Sequence, residues 1–256
     1  MARHVDAWMD GVKLASLGPI LIQGVTETSP DQEIVYGVRP VRAGQNVRNN
    51  RRKALRISLD LAIRELFDLQ RRTAVLQAVA GWCKGGVLEL SNHPDQQLHV
   101  ICKSIPALGS VRDYTSEISI EFEANEIPYW EEKWPVYASG NGNSGSVNLF
   151  VPGTCDDVPI DIVCSPAGTA TALLVSVSCG GATRTINLSG ISTASDICFS
   201  RDEHDRLQIT SGTASLLRYR TEQSADDLTV PAGVVVCSWE SSCSCSVDFH
   251  AKGRWL

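Results

Sequence analysis

The chain has 256 residues, 43% hydrophobic and 20% charged, with 23 Lys and Arg against 29 Asp and Glu for a formal net charge of −6. This balance excludes a disordered or fibrous chain, and the acidic total excludes nucleic-acid binding by bulk charge, which needs a basic surface. The length accommodates two ordinary domains, no apolar run approaches the ~20 residues of a membrane-spanning helix, and Met1 through Asp6 lack a signal peptide's apolar stretch, so folding in the cytoplasm without membrane insertion is expected.

The first distinct segment, Arg42 through Lys53, is basic and leads directly into an apolar alternation. Its cations Arg48, Arg51, Arg52 and Lys53 read either as an exposed turn that protects a sheet edge or as a contact for an acidic partner or for DNA. In Leu55 through Ile63 every second residue is Leu or Ile, the pattern of a half-buried strand. Asp68 is placed to cap a helix from Leu69 to Trp82, with Leu69, Leu76 and Cys83 seven apart and Val75, Val79 and Trp82 beside them. Lys84-Gly85-Gly86 ends it. A hairpin follows, Val87 to Leu90 and Leu98 to Lys103, and then a second alternating strand, Glu117 to Ala124, whose carboxylates decorate its wet face. Residues 1–137 therefore predict an α+β domain with antiparallel pairing.

Ser139 through Ser146 reads as a Gly- and Ser-rich linker or turn, which places the boundary between residues 137 and 138. Beyond it, short β-rich runs recur between Gly, Ser, Asp and Pro: residues 147–151, 158–164, 172–179, 183–188, 196–200, 207–210, 216–219, 233–239 and 244–250. Residues 138–256 predict a β-sandwich, and the whole chain a mainly β fold.

The nine cysteines are odd in number and include no C-x-x-C pair, so they read as small buried hydrophobes, with a metal or disulfide role for Cys243 and Cys245 as the alternative. No catalytic or cofactor motif is present, and His4, His93, His99, His204 and His250 are scattered. The dense charges of Arg201 through Arg206 read as a solvated turn. No enzyme and no cofactor is expected.

Taken together, these elements resemble the distal tail protein family of long-tailed phages. Gly44 through Ile63 is similar to the family's basic loop and alternating strand. Ala80-Gly81-Trp82 with Leu88-Glu89-Leu90 resembles its helix and hairpin, and Ile118 through Phe122 followed by Pro128-Tyr129-Trp130 its closing strand and exit. The second half, finishing on Arg254-Trp255-Leu256, resembles the family's galectin-like sandwich, although it is rich in Cys and has Val234 where an Asn is common. The resemblance implies a split-barrel first domain in a hexameric ring, with sandwiches pointing outward, that joins the tail tube protein to the hub or tip protein of a virion. It also brings in the tape measure protein as a partner and DNA only as the passing genome. The rival reading is a carbohydrate-binding module for host glycans. The aromatics of the second half, Tyr137, Phe150, Phe199, Tyr219, Trp239, Phe249 and Trp255, sit mostly in strand runs, where core packing accounts for them.

Overall fold

Leu55, Ile57, Leu59, Leu61 and Ile63 are all buried, as their alternation requires. The strand that carries them organises the first half of the computed structural model, which describes residues 5–29, 32–38, 45–64, 68–104, 116–125, 127–202 and 205–256. Two compact units result, one extending through Trp130 and the other spanning Glu131–Trp255.

In chain order the first unit contains β1 (Ala7–Met9), β2 (Val12–Lys13), a 3-10 turn (Leu14–Leu17), β3 (Ile20–Thr28), β4 (Gln32–Val38), β5 (Gln45–Arg52), β6 (Arg56–Ile63), α1 (Leu69–Trp82), β7 (Gly86–Leu90), β8 (Gln96–Ser104) and β9 (Ser116–Ala124). Its main sheet has the antiparallel order β2-β1-β7-β8-β9-β6-β3. β6 lies between β3 and β9, and the register opposes Ile57 to Phe122, Leu59 to Ile120 and Leu61 to Ile118, so both alternating strands turn their apolar residues to one side. Val75, Leu76, Val79, Trp82 and Cys83 of the helix are buried as well, and the Trp82 and Phe122 rings meet edge to face at 6.1 Å. Asp68 caps the helix, its carboxylate accepting from the amides of Gln70 and Arg71 at 2.9 and 3.1 Å. The strand β3 carries no strict alternation and escapes the periodicity that reveals β6 and β9.

The second unit contains β10 (Trp130–Glu132, from Glu131 onward), β11 (Val136–Val151), β12 (Val158–Pro166), β13 (Ala170–Cys179), β14 (Ala182–Thr193), β15 (Ile197–Arg201), β16 (Leu207–Ser211), β17 (Ala214–Ser215), β18 (Thr229–Val230), β19 (Gly233–Ala251) and β20 (Arg254–Trp255). Two expectations need correction here. Residues 233–239 and 244–250 are one strand, and Leu217–Tyr219 is a 3-10 turn closed by the Tyr219 amide on the Leu216 carbonyl at 2.9 Å.

The long strand β19 is the spine of this unit. Its first half pairs with β13 and its second with β12, while β11 follows it along its other side. Val235, Cys237 and Trp239 are buried, and so are Cys245, Val247, Phe249 and Ala251, so the same face of the strand points inward before and after the middle. One bent ribbon therefore walls both sides of the core.

The bend explains the glycines of Ser139 through Ser146, which are not a linker but the middle of β11. Trp239 lies against them: a Cβ on Gly140 would come within 2.2 Å of its ring, and one on Gly145 within 2.5 Å. The register shifts between Gly142 and Ser144, Gly142 has φ +126°, and its carbonyl accepts from the Trp239 indole at 3.2 Å. The composition of a flexible connector here serves a strand that must turn closely over an indole.

None of the nine cysteines is joined in a disulfide. Cys83, Cys155, Cys164, Cys237 and Cys245 are buried, the rest half-buried, and burial pushes the Cys83 and Cys237 thiols up to about 12.

Candidate functional site

The basic segment forms part of a β-hairpin rather than a turn. β5 pairs with β4 as a separate two-stranded sheet, and neither strand joins a third among the described residues. Arg52 lies opposite Gln32 and Arg51 opposite Glu33, while Arg48 falls where the register shifts, between Val47 opposite Tyr36 and Asn49 opposite Val35. Arg42 through Gly44 lie outside the described residues. Lys53, just past the strand, is exposed and lines a recess of about 350 Å³ with Thr28, Ser29, Ala54, Arg56 and Glu123. Because β3 precedes β4 and β5 leads into β6, the hairpin continues the β3–β6 ribbon beyond the Thr28–Arg56 pair. It is an arm. Two-stranded hairpins are marginal in water on their own, so such an arm gains most from a surface to rest on.

A polar cluster with no signature in the sequence draws together the two flanks of the first sheet. Glu27 is on the edge strand β3, yet its Oε1 lies 2.8 Å from His93 Nε2 in the β7–β8 turn, several strands away in sheet order. Asn92 donates to the same oxygen at 3.3 Å, the Trp130 indole donates to Oε2 at 3.3 Å, and the His93 ring stacks on Trp130 at 4.3 Å. The contact requires the sheet to curl into a half-barrel. His93 is raised above its ordinary pKa, chiefly by its hydrogen bond to Glu27. Glu27 is lowered on balance: desolvation by burial, the largest influence, pushes it up, but His93, Asn92 and Trp130 together pull it further down.

The signs of these shifts define a pH window. The raised His93 contributes stability that is present below its unfolded pKa of about 6.5 and is lost as pH rises through its folded value. The lowered Glu27 contributes stability present above its unfolded value and lost as pH falls through its folded one. Stability therefore falls on both sides of the interval between the two folded values. Urea titrations across the histidine range should show the native chain losing stability on the alkaline side more steeply than His93→Gln, and parallel curves would mean that the Glu27–His93 pair adds nothing to stability.

In the second unit, Arg254 is 3% exposed and donates to Glu131 Oε1 at 2.9 Å, to both Asp205 oxygens at 3.1 Å and to the Asp157 carbonyl at 3.3 Å. Arg201 forms a two-pronged pair with Asp227, one contact measuring 2.8 Å. In the charged run from Arg201 to Arg206, Arg201 ends β15 and the Asp202 amide donates to the Arg206 carbonyl at 3.0 Å, while Arg201 and Asp205 are turned to buried or half-buried ionic partners rather than to water; Glu203 and His204 lie outside the described residues.

The aromatics divide. Phe199, Trp239 and Phe249 are buried, whereas Tyr137 and Phe150 are 75% and 64% exposed, against the expectation of core packing. They stand at opposite ends of β11 and form no common platform. Among the described residues no group of three or more His, Cys, Asp and Glu is placed to hold a metal ion, and no helix is long and apolar enough to cross a membrane.

These features define a class: a mainly β protein with a curled, helix-bearing antiparallel sheet and a basic arm, followed by an antiparallel unit built on one bent ribbon. Across nearly its whole length the chain has the fold of the Dit protein (gp 19.1) of phage SPP1, described as a paradigm of the hub adsorption apparatus in phages that infect Gram-positive hosts. The two share 13% identity and a TM-score of 0.69, with 97% of this chain and 98% of that one covered. A chain of the phage P2 baseplate in its activated conformation with calcium is also similar, at 11% identity and a TM-score of 0.47, with 99% of this chain and 98% of that one covered. No family model and no curated protein matches the sequence.

Proposed function

We propose that this chain is a distal tail protein: a non-enzymatic structural component of a phage tail tip, made in the host cytoplasm, that forms a hexameric ring joining the tail tube protein to the hub or tip protein. The observation that carries the reading is the β4–β5 arm, a two-stranded ribbon with Arg48, Arg51 and Arg52 in one strand and Lys53 at its root, paired with no third strand among the described residues. A ring needs one repeated head-to-tail contact, and a projecting arm supplies one half of it. The full-length likeness in fold to SPP1 Dit supports the same reading. The second unit is the galectin-like domain of the family. The tape measure protein and the passing genome are the remaining neighbours, with the arm at the ring's rim or lumen. The glycan-binding alternative finds little support, since the exposed Tyr137 and Phe150 are far apart along one strand.

The test is replacement of Arg48, Arg51, Arg52 and Lys53 together by Ser. Surface charge changes alter stability by less than ~0.5 kcal/mol each, so the melting temperature of the full chain should hold while the ring seen by light scattering and electron microscopy is lost. Unfolding of the variant would make the arm a structural element, and normal rings would reduce its cations to solvated decoration.

A further inference from the structure

We infer that the seat of the arm is the outer face of the β3–β6–β9 sheet of a neighbouring copy of this chain, an inference that rests on the ring proposed above. The first observation is how charge is shared out. Gln32 through Lys53 holds six of the chain's 23 Lys and Arg but one of its 29 Asp and Glu, so the rest of the chain is far more acidic than its total suggests. The most complementary surface available to the arm is the remainder of its own sequence in another copy.

The register then locates that surface. On the face of the sheet opposite the apolar core, the cross-strand rows are Thr28, Arg56 and Glu123; Thr26, Ser58 and Glu121; Gly24, Asp60 and Ser119; and Leu21, Ala62 and Glu117. At the end nearest the arm the charges are settled internally, because Glu123 binds both Arg56 at 3.2 Å and Lys103 at 2.6 Å. Toward the other end Asp60 and Glu117 are exposed and Glu121 half-exposed, with no ion pair to a described cation, and Ser58 and Ser119 bond each other between them at 3.0 Å.

Gly24, opposite Asp60, leaves a recess there of about 450 Å³, lined by Gln23, Gly24, Asp60, Leu61, Glu117, Ile118 and Ser119, polar and wide enough for guanidinium groups. Cations thus leave one end of the β3–β6 ribbon, while Asp60 and Glu117 lie exposed toward the other, where the exposed Arg64 just past β6 is the described cation. Two different patches on one chain that fit each other make a heterologous contact, the kind that closes a ring. Arginine suits the seat because its planar fork pairs with carboxylates in two-pronged fashion.

Charge exchange tests the pairing on the full chain. An arm variant carries Arg48→Glu, Arg51→Glu and Arg52→Glu; a face variant carries Asp60→Lys, Glu117→Lys and Glu121→Lys. The face positions are exposed or half-exposed, and thermal melting verifies that each variant folds. At low salt, where such contacts are least screened, each variant alone should lose the ring species. The equimolar mixture should regain it, because reversed arm then meets reversed face and native arm meets native face in alternation. Raising the salt should dissolve the native and the mixed rings alike.

A face variant that assembles as the native chain does overturns the seat but leaves the ring reading standing, and the arm then serves another surface, including DNA. Failure of the mixture while both variants stay folded also overturns it. If the native chain remains monomeric into the tens of micromolar, the ring reading fails and takes the seat with it.

Discussion

Substituting Arg254 by alanine should lower the stability of the chain by about 3–5 kcal/mol, because it strands carboxylates in a buried site rather than merely deleting a contact. The guanidinium is 3% exposed and holds Glu131, itself 8% exposed, as well as both oxygens of Asp205. These partners come from the first strand of the second unit and from the β15–β16 turn, so the end of the chain fastens distant parts of that unit. Lysine should recover only part of the loss, since an ammonium lacks the fork needed to serve two carboxylates at once. Asp205→Asn should cost less than Arg254→Ala, because Asp205 is 31% exposed and water can replace some of what it loses. Denaturant unfolding monitored by tryptophan fluorescence measures all three. A loss near the ~1 kcal/mol ceiling of surface pairs for Arg254→Ala would show that the network is effectively solvated.

How much of this was legible in the sequence depended on how local each cause was. Strand β6, strand β9 and helix α1 were readable because their burial recurs at a fixed spacing, and Asp68 because a cap acts within three residues. The arm was half legible. Its cations stood out, but β4 and β5 are paired across a segment with no two-residue turn signal to announce a hairpin, so the basic stretch looked like a turn. Glu27, His93 and Trp130 gave no signal, since they meet only after the sheet curls and lie 66 and 103 residues from Glu27. The buried network of Arg254 was hidden for the same reason. Ser139 through Ser146 is ambiguous for a different reason: Gly and Ser denote freedom in a linker and closeness under an indole, and composition alone does not separate these meanings. Trp239, the residue that decides between them, is almost a hundred positions away.

That decision can be tested directly. Trp239 is 4% exposed and lies over Gly140 and Gly145, so Trp239→Ala should cost about 3–5 kcal/mol, the usual loss when a large core aromatic is truncated. Gly140→Ala alone should be destabilising by about 1–3 kcal/mol or more through overpacking, since the added methyl falls on a rigid ring that has no flexible end to yield. A linker glycine behaves in the opposite way: replacing it by alanine at an unstrained position stabilises slightly by restricting the unfolded chain. The sign of the Gly140→Ala effect therefore separates the two meanings. The pair also predicts its own coupling. In a Trp239→Leu background the smaller side chain leaves room for the methyl, so Gly140→Ala should cost less there than in the native chain, with an interaction energy of roughly 0.5–3 kcal/mol. Gly168, whose added Cβ would meet nothing within 4 Å, serves as the control and should respond equally in both backgrounds. Strict additivity of Gly140→Ala and Trp239→Leu in urea unfolding would mean that the glycine is not there for the indole, and the bend of the ribbon would then need another cause.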